Sequence, residues 1–340
     1  MSMSPEKRFE LVKRNTEEIV TEKELKDLLK KKKNPVVYLG TAITGRPHVS
    51  YFLWVLKLAD FINAGFKVKL LLADLHGVLD GTPWNVLERR YDYYEKIIPL
   101  MFKAVGVNIK NLEIVKGSEF QLKPEYMYDV LKASSLASVG DLKRAASDVV
   151  KMSDNPKLSG LIYPIMQAVD EQYLGVDVQY GGIDQRKILM FAREYLPKIG
   201  YKSRIEFMTP LISGLIGKKM SASDEKSKID LLDDEKTIRK KLKNAECVAG
   251  NPDNGIMDFL KYVIMTVKQD KKKKFSVKRK KEHGGDLSYQ DYEKLEKDFI
   301  AKKLHPLDLK NAVAYELIKL LEPIQRNREE LEKLARKAYS

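Results

Sequence analysis

At 340 residues, 44% of them hydrophobic, the chain is long enough for two domains and an ample buried core. One cysteine (Cys247) excludes an internal disulfide framework and four scattered histidines show no zinc-ligand spacing. The start MSMSPEKRFE lacks the apolar centre of a signal peptide, and no run approaches about 18 apolar residues, so a soluble, cytoplasmic protein without protein-bound zinc is expected. The net charge of +14, from 62 basic and 48 acidic residues, points to a polyanionic partner.

The first 33 residues read as an amphipathic helix pair, with Thr21 and Glu24 in capping-box spacing ahead of Leu25, Leu28 and Leu29. From Val36 the pattern turns α/β. A strand at 36–39 runs into a small-residue turn around Gly40, then a helix at 48–64 opened by His48 and stopped by Gly65. A strand at 66–73, a helix at 84–105 stopped by Gly106 and a strand at 112–115 follow. Helices are expected at 124–139, 141–153 and 160–174, then a strand at 176–180, a Gly181-Gly182 turn, a helix at 184–199 and a strand at 204–208. Beyond a loop at 213–223 the strands stop, and helices near 234–246, 252–266, 289–302, 306–322 and 326–338 dominate. The fold class is α/β, a Rossmann-like parallel-sheet domain at 34–230 with a helical insertion at about 112–150, followed by an α-helical domain at 231–340. Within the latter, Lys271–Lys281 packs eight basic residues and no acid, a nucleic-acid patch, a solvated hairpin or loop, or a nuclear-localisation signal.

Three segments carry chemistry. Tyr38 to His48 places main-chain N–H groups and an imidazole where a phosphate could sit, and Lys219-Met220-Ser221-Ala222-Ser223 is a basic loop. Tyr163, Gln167 and Asp170 fall at i, i+4 and i+7, setting a phenol, an amide and a carboxylate along one helical face. A buried polar stripe needs partners, from a ligand or from an internal network. Taken singly, His48 reads as a helix cap, Tyr38 as core, Lys219 as a solvated cation and Asp308 as an N-cap near Pro306.

His48-Val49-Ser50-Tyr51 resembles the HIGH-type motif of class I aminoacyl-tRNA synthetases, with Tyr51 in place of the second histidine, and Lys219–Ser223 resembles their KMSKS-type loop, with Ala222 and Ser223 departing from it. Tyr163–Asp170, Gly181-Gly182-Ile183-Asp184-Gln185-Arg186-Lys187, Ala73–His76, Gly117–Leu122 and His305–Asn311 are similar to tyrosyl-tRNA synthetases of the archaeal and eukaryotic type. That resemblance implies activation of L-tyrosine by ATP with Mg²⁺, then transfer to tRNA(Tyr), in a homodimer joined through the 112–150 insertion. Tyr38 and Asp170 would bracket the substrate phenol, and Tyr163, Gln167 and Gln185 would hold its ammonium. Gly40, Thr41, His48, Ser50, Gly181, Asp184, Lys219 and Met220 would bind ATP, with His48, Lys219, Ser221 and Ser223 serving catalysis. Asp74 and His76 would line the site. Asp308 and His283 would meet the anticodon, and Lys278 and Arg279 would add phosphate contacts. Two alternatives are a tryptophanyl-tRNA synthetase, less suited to the Tyr38–Asp170 pair, and a catalytically silent RNA-binding paralogue, allowed by Tyr51, Ala222 and His283.

Overall fold

The structure, a computed structural model, describes residues 3–150, 155–217, 220 and 227–339. The chain enters through α1 (Pro5–Lys13), whose first position holds Pro5 behind a Ser4 cap, and α2 (Glu22–Lys31), which carries the expected Thr21–Glu24 capping box. Between them lies an unforeseen strand, β1 (Glu18–Val20). Three residues are too short to show a period of two, and the pairing that makes them a strand lies far along the chain.

Two crossovers follow: β2 (Val36–Ala42), α3 (Tyr51–Asn63), β3 (Lys67–Ala73), α4 (Asp74–Leu79), α5 (Leu87–Val105) and β4 (Leu112–Lys116). α5 ends where Gly106 takes a φ of 83°, a left-handed conformation that turns its N–H back onto the Phe102 and Lys103 carbonyls. The helices α6 (Ser118–Gln121), α7 (Pro124–Ser134), α8 (Val139–Ala146) and α9 (Leu158–Tyr173) precede the return to the sheet through β5 (Val178–Gly182), α10 (Arg186–Lys198) and β6 (Ile205–Thr209). The strand order is β1-β6-β5-β2-β3-β4, parallel throughout except for β1, which lies antiparallel on β6 and covers that edge. This is the α/β, Rossmann-like sheet expected, with two local corrections: Gly40 and the pair Gly181-Gly182 belong to strands β2 and β5, not to turns.

The remainder comprises α11 (Glu235–Asn244), α12 (Gly255–Phe259), α13 (Thr266–Asp270), β7 (Phe275–Val277), β8 (Leu287–Tyr289), α14 (Tyr292–Ile300), α15 (Pro306–Gln325) and α16 (Arg328–Tyr339), with a π-helical stretch at 260–265 joining α12 to α13. The expectation that strands cease here is corrected by the antiparallel β7–β8 pair, where buried Phe275, Val277 and Tyr289 alternate with exposed Ser276 and Ser288. The two halves pack tightly. A Cβ on Gly255 would stand 2.3 Å from the Gly214 carbonyl oxygen, so only glycine lets α12 begin against that chain, while α15 and α16 lie along α5.

Candidate active site at the sheet switch point

After β2 the chain winds outward through β3 and β4, then returns on the other side of β2 as β5. The crevice at the carboxyl ends of β2 and β5 is where such sheets bind ligands. A cleft of about 750 Å³ opens there. It is lined by every described residue assigned above to tyrosine or ATP: Tyr38, Tyr163, Gln167, Asp170 and Gln185, together with Gly40, Thr41, His48, Ser50, Gly181, Asp184 and Met220. Lys219, Ser221 and Ser223 lie outside the described residues. Their flanks are stapled beside His48: the Leu215 N–H donates to Ser227 O at 3.0 Å, Val49 to Ile229 O at 3.0 Å, and His48 bridges to Asp230.

The closed end of the cleft is polar and buried. Asp170 is only 1% exposed, and its Oδ1 accepts from Gln121 Nε2 and from the Tyr126 hydroxyl, each at 2.8 Å. Its Oδ2 has no hydrogen-bond partner among the described residues. Burial pushes the Asp170 carboxyl up to about 7, against the downward pull of Gln121 and Tyr126, and pushes the nearby His76 imidazole down to about 4. The Tyr38 hydroxyl donates to Gln167 O at 3.3 Å, so it borders the cavity with Asp170 without bonding it. Gln167 Nε2 donates to Gln185 Oε1 at 3.2 Å, and the Tyr163 ring meets His76 edge-on at 4.7 Å. The glycines of β5 permit this closeness: a Cβ on Gly181 would touch the Gln185 side chain at 3.0 Å, and one on Gly182 would meet Asp184 at 2.6 Å.

Nearer the mouth, His48 is 4% exposed, with Nδ1 at 2.8 Å from the Ser50 hydroxyl and its ring edge-on to Tyr51 at 4.9 Å. It neither opens nor caps a helix. α3 starts at Tyr51, three residues later than expected: His48 is held in the bridge to Asp230, and residues 49–50 form a turn before the helix begins. Asp74 is likewise corrected: its carboxylate caps the Leu75 and Ser118 N–H groups at 3.0 and 2.9 Å, and only His76 of that pair faces the cleft. Gln121 and Tyr126 were not foreseen as site residues; the single signal was Gln121's place in the Gly117–Leu122 resemblance. Nothing in the sequence marked Glu171 and Glu206, buried with both carboxylate oxygens unpartnered among the described residues and raised well above the usual range, chiefly by burial.

The residues assigned to tRNA stand apart, in the helical half. Lys278 pairs with Asp286, and Arg279 is spent on main-chain carbonyls, donating to Gly285 O at 2.8 Å within its hairpin and to Lys303 O at 2.9 Å beyond it. His283 closes an exposed single turn after β7. Asp308 sits in the first turn of α15, whose cap is His305; the Nδ1 of His305 accepts from the Leu307 N–H at 3.2 Å, which corrects the reading of Asp308 as the cap.

The protein-family model described as tRNA synthetases class I (W and Y) matches residues 30–322, and the chain belongs to that family. Its relatives narrow the likeness. It is 47% identical over 342 residues to the cytoplasmic tyrosine–tRNA ligase of Danio rerio, covering 99% of this chain and 64% of that protein. It is 44% identical to the cytoplasmic tyrosine–tRNA ligase of Saccharomyces cerevisiae, covering 99% and 89%, and 40% identical to the tyrosine–tRNA ligase of Haloarcula marismortui, covering 99% and 98%. The chain thus spans less than two thirds of the vertebrate relatives and nearly all of the archaeal one. The crystal structure of Archaeoglobus fulgidus tyrosyl-tRNA synthetase complexed with L-tyrosine superposes with a TM-score of 0.88 at 39% identity, over 95% of this chain and 99% of that one. A tryptophanyl-tRNA synthetase from Aeropyrum pernix, at a TM-score of 0.69 and 18% identity, shares the fold.

Proposed function

We propose that the chain is a tyrosine–tRNA ligase that joins L-tyrosine to ATP and passes the tyrosyl group to tRNA(Tyr). The observation that carries this reading is the buried Asp170 Oδ2, an acceptor without a donor at the closed end of a cleft bordered by the Tyr38 phenol. A ligand hydroxyl supplies the missing donor, and a ligand lacking one leaves the carboxyl unpaired. Gln167, Gln185 and Tyr163 line the same cleft as the His48 segment and would meet the ammonium of a tyrosine whose phenol reaches Asp170.

In the first step a carboxylate oxygen of tyrosine attacks the α-phosphorus of ATP, forming the acyl–phosphate bond as the bond to pyrophosphate breaks. No protein nucleophile is needed, so the site works by positioning and by absorbing charge. His48, Ser50, Gly40, Thr41, Gly181 and Asp184 would hold the nucleotide. Lys219, Ser221 and Ser223 would close over the departing pyrophosphate, and Mg²⁺ would arrive with ATP. In the second step the terminal ribose hydroxyl of tRNA takes the tyrosyl group and AMP leaves.

A homodimer is part of the proposal. Leu122, Tyr128, Leu131, Leu136 and Val139, between 48% and 68% exposed, lie within the 112–150 insertion, apolar surface that water alone covers poorly. Division of the chain near residue 230 into catalytic and anticodon-binding parts, and a cytoplasmic setting like that in the relatives' names, complete it. Tyrosine-dependent exchange of labelled pyrophosphate into ATP is the test. Exchange with tyrosine and not with tryptophan or phenylalanine is expected; exchange with tryptophan, or none from folded protein, overturns the reading.

A further inference from the structure

The loop between β2 and His48 is held from behind by side chains remote in sequence. Arg90 Nη1 donates to the carbonyls of Ile43, at 3.4 Å, and Thr44. The Gly45 carbonyl accepts twice, from the Tyr94 hydroxyl at 2.6 Å and from the Tyr339 hydroxyl at 2.8 Å. Tyr339, at the end of α16, also carries the Arg90 guanidinium 4.9 Å from its ring centre and meets Tyr93 edge-on at 5.9 Å. Tyr51, the residue that departs from the HIGH-type pattern, joins the same assembly: its hydroxyl is 3.3 Å from that of Tyr94. Since Tyr94 gives its proton to Gly45, Tyr51 is the donor in that pair.

Peptide geometry converts this into a statement about the cleft. In a trans peptide the C=O of one residue and the N–H of the next point in opposite directions. Drawing the carbonyls of residues 43, 44 and 45 toward α5 and α16 therefore turns the N–H groups of Thr44, Gly45 and Arg46 to the other side. Thr44 and Gly45 line the cleft, and among the described residues no main-chain carbonyl accepts from any of the three N–H groups. We infer that Tyr339, acting with Tyr94, Tyr51 and Arg90, is a positioning residue for the nucleotide: it fixes the 43–46 loop so that a row of main-chain N–H groups faces the phosphates of ATP. The inference rests on the adenylation reading, and it gives α16 a part in the catalytic half of the molecule.

Tyr339→Phe removes one hydroxyl and keeps the ring against Arg90 and Tyr93. In pyrophosphate exchange its KM for ATP should rise about three- to tenfold, with the KM for tyrosine and the Tm unchanged. Tyr94→Phe should act in the same direction, and the double variant, which strips both donors from Gly45, should exceed either. An unchanged KM for ATP, or equal rises for both substrates, overturns the inference, as does a lowered Tm without an ATP effect, which would mark Tyr339 as packing alone. Calorimetric affinity for a non-hydrolysable ATP analogue separates this from the parent reading. If the unaltered protein lacks exchange, the adenylation reading fails, and equal analogue affinities of the protein and Tyr339→Phe then overturn the positioning role too.

Discussion

Asp170 Oδ2 lies 3.8 Å from His76 Nε2, and neither atom has a hydrogen-bond partner among the described residues. With burial setting His76 near 4 and Asp170 near 7, the imidazole is neutral at pH 7 while the carboxyl is close to half protonated. A phenol that donates to Asp170 favours its charged form and lowers its pKa. Binding tyrosine should therefore release a proton in the window just below pH 7, and affinity should climb between about pH 5.5 and 7.5. Calorimetry in buffers of different ionisation heat counts that proton; a buffer-independent enthalpy would sink the idea, and Asp170→Asn should abolish the release. Stability is a blunter probe. Asp170, Glu171 and Glu206 are all raised by burial, so each stabilises the fold most at low pH and loses that contribution as pH rises through its folded-state pKa.

Discrimination between tyrosine and phenylalanine should follow the same atoms. Asp170→Ala and Tyr38→Phe should each lower kcat/KM for tyrosine, by about ten- to a hundredfold for a removed or stranded buried hydrogen bond, and change that for phenylalanine little or raise it. Exchange assays with both amino acids measure this directly. Equal losses for the two substrates would show that Tyr38 supports the cavity without reading the hydroxyl.

The sheet was legible because each of its main strands is an apolar run bounded by a glycine or a helix signal, and the stripe Tyr163-Gln167-Asp170 was legible because helical spacing alone puts those groups on one face. Local readings failed where a distant segment decides the outcome. Val49 and His48 are held by Ile229 and Asp230, and α3 begins only at Tyr51. β1 exists through β6, and β7 exists through β8, each too short to announce a period. Asp170's retention by Gln121 and Tyr126 is invisible for the same reason, since these donors come from two other helices. The departure at Tyr51 acquires a physical account only when Tyr94 is seen beside it.

The apolar face of the insertion should be an intersubunit contact. Leu131→Glu, at a side chain 65% exposed, should leave the protomer folded, because no core packing is lost, and should shift the assembly from dimer to monomer in sedimentation velocity. A monomer before substitution, or a dimer that tolerates the charge, would remove this face from the proposed interface.

Within the basic run, contact with RNA should fall to the lysines that the fold leaves to solvent. Lys271, Lys272, Lys273 and Lys274 are all exposed, whereas Arg279 anchors β7–β8 to the chain before α15 through Gly285 and Lys303. Each lysine that neutralises a phosphate contributes about one unit to the slope of log affinity against log salt. Lys272→Ala with Lys274→Ala should therefore flatten the slope for tRNA binding by about two and leave the KM for tyrosine and ATP unchanged. Arg279→Ala should instead lower Tm, since it removes the two hydrogen bonds by which the guanidinium ties the hairpin to the chain before α15. Filter binding across a salt series, beside thermal melts, distinguishes the two effects; an unaltered slope in the double lysine variant would assign the run to the solvated surface of the hairpin.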